Sequence, residues 1–278
     1  MTFALLADVQ YAQKPTAGGR YYAQAKDRLA ECVATLNAQQ PGPAFVMQLG
    51  DLIDGGDQAH DELTAAAAIY HRLRMPRYHV LGNHDFDGLT REQTLAILAM
   101  ERAYYAFDRN GWRFVVLDTQ DVAVQGGWGQ DSKPYQTASA MLESLRRQGA
   151  DNAQPYNGAA GDAQLAWLSE VLTDADAKTM PAVVFGHLPL VPFGEKHTLW
   201  NAESVVALLE RHPCVKAYFC GHTHRGGRLR QNGIEYVSLE AVVEHADQAA
   251  VWYTVGLTSS VIDIKAVGTA QRWTLPLH

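Results

Sequence analysis

The sequence predicts an α/β protein built from layers of sheets and helices. Three observations predict it: short apolar runs that end in polar residues, helical patterns between those runs, and a length of 278 residues, which suffices for a large core. Since no linker composition or internal repeat marks a boundary, we expect a single domain over residues 1–278.

Six short runs predict buried strands. They are rich in β-branched or aromatic residues, end at polar or small residues, and cover residues 3–7, 45–49, 78–81, 114–117, 182–185 and 215–220. After Gly233, the runs IEYVSLEAVV, AVWYTVGL and SSVIDIKAV predict consecutive antiparallel strands.

Four segments between these runs predict helices, because their apolar residues recur at helical spacing or because strong helix formers dominate: residues 25–38, 61–73, 162–172 and 203–209. Residues 119–161 contain GGWG, two prolines and NGAAGD. They predict an irregular insertion or a loop over the functional site.

Composition narrows the class of protein. Hydrophobic residues make up 47% and charged residues 19%, which excludes a disordered chain. A formal net charge of −7 disfavours bulk attraction to nucleic acid or acidic membranes, so a small-molecule partner is expected. The start MTFALLADVQY has no basic region followed by a long apolar stretch, which predicts a cytoplasmic protein. No coiled-coil pattern is evident, and the oligomeric state stays open.

The three cysteines form no CxxC pair, so buried thiols are expected rather than disulfides or a zinc knuckle. Metal-binding residue types instead follow five of the predicted strands. The candidates are Asp8, Gln10, Asp51, Asn83, His187, His222 and His224. Ligands in α/β folds bind beyond the carboxyl ends of strands, so these segments are expected to meet at one edge.

The mixture of ligands indicates which ions would bind. Carboxylate, carboxamide and imidazole groups without thiolate suit Mn²⁺ or Mg²⁺. Seven ligands are too many for one tetrahedral zinc and suit two ions that share a carboxylate. Such a pair lowers the pKa of a shared water and neutralises phosphate charge, which predicts phosphoester or phosphoanhydride hydrolysis.

The sequence resembles the calcineurin-like metallophosphoesterases, whose blocks D-x-H, G-D-x-x-D, G-N-H-[DE], a lone H and G-H-x-H correspond here to AD8VQ, GD51LID54, GN83HD85, GH187LPL and GH222TH224. Gln10 replaces the usual first-block histidine, as in the manganese-dependent ADP-ribose/CDP-alcohol diphosphatases. GDLIDGG, HPCVKAYFCGHTHRGG and VSLEAVVE add to that likeness.

The resemblance implies a four-layer fold of two mixed sheets packed as a sandwich and flanked by helices. It implies two divalent ions, with Mn²⁺ favoured over Mg²⁺ or iron. Asp8, Gln10, Asp51 and His224 would hold the first ion, and Asp51, Asn83, His187 and His222 the second, with Asp51 bridging. It further implies cleavage of ADP-ribose or CDP-alcohols, by a bridging hydroxide, to a nucleoside monophosphate and a phosphorylated product.

Two residues have implied catalytic roles. His84 would face the phosphate and stabilise or protonate the leaving oxygen, and Asp85 would orient His84 by accepting its other ring proton.

Candidate substrate-binding residues are Tyr11 as an aromatic, Arg225 as a cation, and Leu188 and Cys220 as neighbours of metal ligands. The loop at Trp128 is a candidate cover for the base.

Two alternatives remain open. The same set of ligands can serve a phosphodiesterase acting on cyclic nucleotides or glycerophosphodiesters. It can also persist in a catalytically silent, metal-dependent binding module.

Overall fold

A computed structural model describes residues 1–193, 195–245 and 251–277, with only the backbone of Glu195. Within these ranges there are twelve strands: β1 (Thr2–Leu6), β2 (Val46–Gln48), β3 (Arg77–His79), β4 (Tyr105–Arg109), β5 (Trp112–Val116), β6 (Ala182–Phe185), β7 (Val215–Cys220), β8 (Gly227–Gln231), β9 (Ile234–Ser238), β10 (Trp252–Leu257), β11 (Val261–Val267) and β12 (Arg272–Pro276). The helices are α1 (Tyr22–Ala38), α2 (Ala59–Tyr70), α3 (Arg91–Ile97), α4 (Lys133–Arg147), α5 (Asp162–Ala177) and α6 (Ala202–Glu210).

The strands form two six-stranded sheets. Their orders are β12-β11-β10-β1-β2-β3 in the first sheet and β4-β5-β6-β7-β9-β8 in the second. Strands β1, β2 and β3 run parallel, as do β5, β6, β7 and β9, while the remaining pairs are antiparallel. Because parallel strands end at the same edge of a sheet, the segments after β1, β2 and β3, and those after β6 and β7, emerge together.

The sheets pack face to face through an aromatic core. Phe3 stacks on Phe45 with ring centroids 4.7 Å apart and meets Phe114 of the second sheet edge-on at 5.6 Å. Alternate residues of β1 face opposite ways: Phe3 and Leu5 contact the second sheet, whereas Ala4 and Leu6 lie under the helices. Burial on both faces explains the continuous apolar run at this strand.

Helices cover the outer face of each sheet, α1 and α2 on the first and α5 and α6 on the second. The layers are therefore helix, sheet, sheet and helix, which confirms the predicted sandwich of two mixed sheets flanked by helices. None of the described helices is long and apolar enough to cross a membrane.

The prediction of consecutive antiparallel strands after Gly233 is half right. Strands β10 and β11 pair antiparallel as expected, although Ala250 of the run AVWYTVGL lies outside the described residues. Strand β9 instead belongs to the second sheet, where it pairs parallel with β7. The run IEYVSLEAVV leaves the sheet after Ser238, so the chain crosses from one sheet to the other.

The prediction that residues 119–161 are irregular is wrong for α4. Ser132 caps the N-terminus of this helix, because its hydroxyl accepts a hydrogen bond from the Tyr135 backbone at 3.3 Å, and Pro134 lies in the first turn. The prolines and glycines that indicated a loop therefore lie at the start of α4 or outside it.

Arg91 holds the first part of residues 119–161 in place through contacts with its side chain. Its buried guanidinium lies between the rings of Phe86 and Trp128, 4.8 and 4.3 Å from their centroids, and pairs with Asp118. Trp128 also donates to the Asp121 carbonyl at 2.9 Å. Arg91 therefore occupies one face of the Trp128 ring, and a role for Trp128 as a cover for the base stays a prediction.

Candidate metal centre

The seven predicted ligands follow the carboxyl ends of β1, β2, β3, β6 and β7, and the structure brings them to one edge of the sandwich. Each is buried, with at most 9% of its surface exposed. Burial of so many polar side chains requires partners, since an isolated polar group is costly to remove from water.

Asp51 lies at the junction of the cluster. Its Oδ2 accepts a hydrogen bond from Gln10 Nε2 at 3.2 Å and lies 3.2 Å from His187 Nε2. Its Oδ1 accepts from the His84 backbone at 2.9 Å. This carboxylate therefore contacts ligand candidates that follow strands of both sheets.

The imidazoles surround Asp51 and Asp8. His222 Nδ1 lies 3.2 Å from His187 Nε2, and His224 Nε2 lies 3.6 Å from Asp8 Oδ1. Asp51, His187 and His222 offer ligand atoms within 4.8 Å of one another. The spacing is close enough for shared coordination of an ion.

Five of the ligand candidates have left-handed backbones. Of nine described non-glycine residues with positive φ, five are Asp8, Gln10, Asp51, His222 and His224. Such conformations cost free energy and persist where the surrounding structure imposes them, typically at functional sites. The strain is concentrated in the cluster that the sequence predicted to be functional.

Gly50 allows the segment after β2 to approach the segment after β6 closely. Its φ is +98°, and a Cβ atom there would collide with the His187 ring. A side chain at position 50 would therefore displace His187.

Two of the imidazoles are oriented by acceptors behind them. His187 Nδ1 lies 2.8 Å from the Leu49 carbonyl, and His224 Nδ1 lies 2.8 Å from Glu244 Oε1. With Nδ1 donating to these oxygens, each Nε2 faces the cluster as a potential ligand.

Several buried atoms lack partners among the described residues: Gln10 Oε1, Asn83 Oδ1 and His222 Nε2. The two amide oxygens are acceptors on predicted ligands, and His222 Nε2 is an acceptor in the tautomer whose proton is on Nδ1; a buried acceptor without a partner is destabilising. Carboxylates, carboxamide oxygens and imidazoles together fit divalent ions such as Mn²⁺ or Mg²⁺.

Electrostatic coupling within the cluster is strong. Burial tends to lower the pKa of His187, but the charges of Asp51 and Asp8 raise it to about 9. Burial opposes ionisation of Asp51 too, yet its pKa lies well below the usual range because of the nearby imidazoles of His187 and His84. The Asp51 carboxylate and the His187 imidazole therefore favour each other's charged forms.

His84 lies at the mouth of the centre, with 30% of its side chain exposed. Its Nδ1 lies 2.7 Å from the Asp54 carbonyl, which leaves Nε2 as the atom able to reach a ligand. Burial lowers its pKa, but the Asp51 charge and the bond to the Asp54 carbonyl raise it above its usual value.

The prediction that Asp85 orients His84 is wrong. The carboxylate of Asp85 accepts backbone hydrogen bonds from Asp51 at 3.0 Å, Leu52 at 2.7 Å and Gly82 at 2.9 Å. Asp85 therefore ties the segment after β2 to the segment after β3, and the Asp54 carbonyl orients His84.

All four predicted substrate residues need correction. Leu188 and Cys220 are fully buried in the core beneath α5 and α6, and Tyr11 is buried in the core beneath α1 and α2. None lines the cavity over the metal centre. Arg225 is exposed and does not line that cavity either.

The cavity over the centre has a volume of about 320 Å³. Six predicted site residues line it, together with five residues outside the predicted set: Arg20, Asp87, Gln125, Tyr156 and His197. Tyr156 and His197 form a stacked pair beside His222, with centroids 5.4 Å apart. Arg20 lies 3.6 Å from Glu244, behind His224. Gln125 and Tyr156 both come from residues 119–161, so this segment contributes to the rim. These residues follow no strand, and no local pattern distinguishes them.

Comparisons with known proteins agree with this geometry. The family model described as calcineurin-like phosphoesterase matches residues 1–226. A curated relative from Oryza sativa subsp. japonica, named manganese-dependent ADP-ribose/CDP-alcohol diphosphatase, is 33% identical over 87% of this chain and 84% of its own length. The human protein of the same name is 30% identical over 96% of this chain and 90% of its own length.

Two solved structures share the fold. A dimetal phosphatase from Danio rerio superposes with a TM-score of 0.89 at 27% identity, covering 100% of this chain and 99% of its own. GAP50, described as the anchor in the inner membrane complex of Plasmodium, has a TM-score of 0.60 at 15% identity, covering 100% of this chain and 88% of its own.

Proposed function

The chain belongs to the calcineurin-like phosphoesterase family, and on that premise we propose that it is a manganese-dependent diphosphatase acting on nucleoside-diphosphate-linked compounds such as ADP-ribose and CDP-alcohols. The observation that carries the proposal is that Gln10, Asn83 and His222, each with a buried polar atom that has no partner among the described residues, line one cavity with Asp51 and His84. The names of the relatives indicate the substrate class.

Seven side chains would hold two ions. Asp8, Gln10, Asp51 and His224 suit the first, and Asp51, Asn83, His187 and His222 suit the second, with Asp51 shared. Bound ions would neutralise phosphate charge and supply an activated water.

The reaction adds water across the phosphoanhydride. The water oxygen loses a proton to solvent and forms a bond to one phosphorus, the bond from that phosphorus to the bridging oxygen breaks, and the bridging oxygen leaves with the other phosphate. In our proposal His84 Nε2 donates the proton to this leaving oxygen, because its Nδ1 is engaged by the Asp54 carbonyl and its raised pKa favours the protonated ring. Products are a nucleoside monophosphate and a phosphorylated partner.

The cavity rim fits a polar substrate. Arg20 lies on the His224 side, where it can meet phosphate charge, and Tyr156 and His197 offer ring faces beside His222.

The test is hydrolysis by Mn²⁺-loaded protein of ADP-ribose, CDP-choline, a cyclic nucleotide and bis-p-nitrophenyl phosphate, with chromatography of the products. We expect AMP and CMP from the first two compounds. His84→Ala should lower kcat at least about 10²-fold while Mn²⁺ remains bound. His60→Ala, which alters an exposed histidine of α2, is the matched control.

Other outcomes would redirect the proposal. Cleavage of the cyclic or model diester alone would favour the phosphodiesterase. Bound Mn²⁺ without turnover of any compound would favour a binding module.

A further inference from the structure

The cavity over the metal centre has two sides, and Asp51 lies between them. Asp51 Oδ1 accepts a hydrogen bond from the His84 backbone at 2.9 Å, whereas its Oδ2 lies 3.2 Å from His187 Nε2. His222 continues the second side, since its Nδ1 lies 3.2 Å from His187 Nε2. A substrate bound here through its phosphates therefore meets different residues on the His84 side and on the His222 side.

The His222 side is aromatic and cationic. The rings of Tyr156 and His197 lie 5.6 and 5.2 Å from the His222 ring, measured between centroids. Burial, with the charges of His224 and Arg20, lowers the pKa of His197, so the Arg20 guanidinium is close enough to act on this ring. Ring faces and a guanidinium suit the base and the phosphates of a nucleotide.

The His84 side carries Asp87 and Gln125 instead. Both residues are exposed, and both line the cavity. The Asp87 backbone is fixed beside His84, because its N–H donates to the His84 carbonyl at 3.1 Å and its carbonyl accepts from the Gly56 N–H at 3.0 Å. Since both backbone groups are engaged, the carboxylate is the polar part of Asp87 that is available to a ligand.

The loop that carries Gln125 is held on the same side. The buried Arg91 side chain donates to the Gly126 carbonyl at 3.0 Å. The same guanidinium packs on Phe86, two residues after His84, at 4.8 Å from the ring centroid. Gln125 therefore has a set position near the turn that contains His84.

The Asp87 carboxylate has no compensating cation. Its oxygens have neither a hydrogen-bond nor an ion-pair partner in the part of the chain that the structure describes. Two cations of neighbouring segments are paired elsewhere, Lys14 with Asp54 and Arg91 with Asp118. A diphosphate substrate is anionic, so an uncompensated carboxylate beside it opposes binding unless the group that it faces is positively charged.

We propose that Asp87 is a specificity-determining residue that selects substrates with a cationic alcohol, such as choline or ethanolamine, over substrates with a neutral one. The inference rests on the proposed function, with the phosphates at the metal centre and the base on the His222 side. The alcohol then lies on the His84 side, with its ammonium group beside the Asp87 carboxylate. This direction agrees with proton donation by His84, because the departing group is the phosphorylated alcohol.

The test compares hydrolysis of CDP-choline and of CDP-glycerol, whose alcohol is neutral, by Mn²⁺-loaded, full-length protein. Asp87→Asn keeps the size of the side chain and removes its charge. We expect the ratio of kcat/KM for CDP-choline to that for CDP-glycerol to fall by about threefold or more, the order expected for a partly exposed pair of charges. The change should appear mainly in KM, because the ammonium group contacts Asp87 equally before and during the reaction.

The matched control is Asp57→Asn. Asp57 is exposed, lies on the connection after β2 and does not line the cavity, so its substitution removes the same charge nearby. We expect this control to keep the wild-type ratio. An unchanged ratio in Asp87→Asn would overturn the proposal, and so would an equal fall in Asp57→Asn.

The wild type separates this proposal from the one on which it rests. If the wild type hydrolyses neither compound, the proposed function fails and this inference fails with it. If the wild type hydrolyses both compounds and Asp87→Asn leaves their ratio unchanged, only the role of Asp87 is overturned.

Discussion

The two sheets contribute different chemistry to one centre. The first sheet supplies oxygen-bearing side chains, Asp8, Gln10, Asp51 and Asn83, whereas the second supplies the imidazoles of His187, His222 and His224. Neither half contains a complete set of ligands for two ions. The centre therefore depends on the packing of the sheets, and bound ions would join the two halves.

The halves are also held in place differently. In the half of the centre that the first sheet supplies, the Asp85 carboxylate accepts backbone hydrogen bonds from the segments after β2 and β3. These hydrogen bonds position the ligand candidates on the two segments. In the imidazole half, acceptors behind His187 and His224 set the direction of each ring. The predicted ligands after β2 and β3 are thus positioned through the backbone, and two of the predicted imidazole ligands are positioned through a ring proton as well.

The largest effect is expected from a substitution of Asp51, which contacts ligand candidates from both sheets. Asp51→Asn keeps the shape but removes the charge that faces Gln10 and His187, so kcat/KM should fall by about 10³-fold or more. Steady-state hydrolysis of ADP-ribose and Mn²⁺ stoichiometry by atomic absorption measure it. Asp57→Asn, an exposed residue of the same connection, is the control. Activity within tenfold of wild type would contradict a shared role for Asp51.

The second prediction concerns protonation of the His187 ring, which lies beside Asp51. The pKa of His187 is raised from 6.5 to about 9 in the folded protein, so its contribution is complete below pH 6.5 and is lost as pH rises through about 9. The unfolding free energy of metal-free protein should fall by roughly 3 kcal/mol over this window. Stabilisation by Mn²⁺ should grow over the same window, because a ligating imidazole must be neutral.

Urea denaturation at several pH values, with and without Mn²⁺, measures both trends. His187→Gln is the control and should flatten the metal-free dependence. An unchanged slope in that variant would assign the proton elsewhere.

The third prediction tests the orientation of an imidazole. Glu244→Ala removes the acceptor of the His224 ring proton and should weaken Mn²⁺ binding by about tenfold or more. Glu244→Gln keeps an acceptor oxygen and should retain most of the affinity. Titration calorimetry with Mn²⁺ compares them, with Glu203→Ala, exposed in the first turn of α6, as control. Equal losses in the Ala and Gln variants would exclude a role through the hydrogen bond.

The smallest effect is expected from replacing Gln10, an oxygen ligand candidate from the first sheet, with a histidine. Gln10→His should shift the ratio of Zn²⁺- to Mn²⁺-supported activity upward by a few-fold, because imidazole is a softer ligand than a carboxamide oxygen. Initial rates with each ion provide the ratio. An unchanged ratio would show that Gln10 does not set metal preference.

Sequence patterns predicted the strands that position the centre, because β1, β2, β6 and β7 lie in apolar runs followed by a metal-binding residue type. Strand β3 (Arg77–His79) is less apolar and overlaps only the first half of the predicted run 78–81. They did not predict β4, β8 or β12, which are edge strands with half-exposed residues and no such run. Strand β9 resembled its neighbours in composition, and only tertiary pairing places it in the second sheet.

Site residues outside the strand ends were harder to predict. Asp85 sits next to His84 in sequence, yet its hydrogen bonds go to backbone 33 and 34 positions away or three residues back. Cys220 directly precedes a glycine and a ligand candidate, but strand alternation turns its side chain into the core. Tyr156 and His197 reach the cavity from connections whose course depends on long-range contacts.

The hydrogen-bond acceptors of the histidine rings also affect how such a centre can change during evolution. His84 and His187 are oriented by the carbonyls of Asp54 and Leu49, which belong to the peptide chain and survive any substitution at those two positions. His224 depends on the Glu244 side chain, which a single codon change can remove. Natural variation at position 244 is therefore a simple genetic route to adjusting this centre without replacing a ligand.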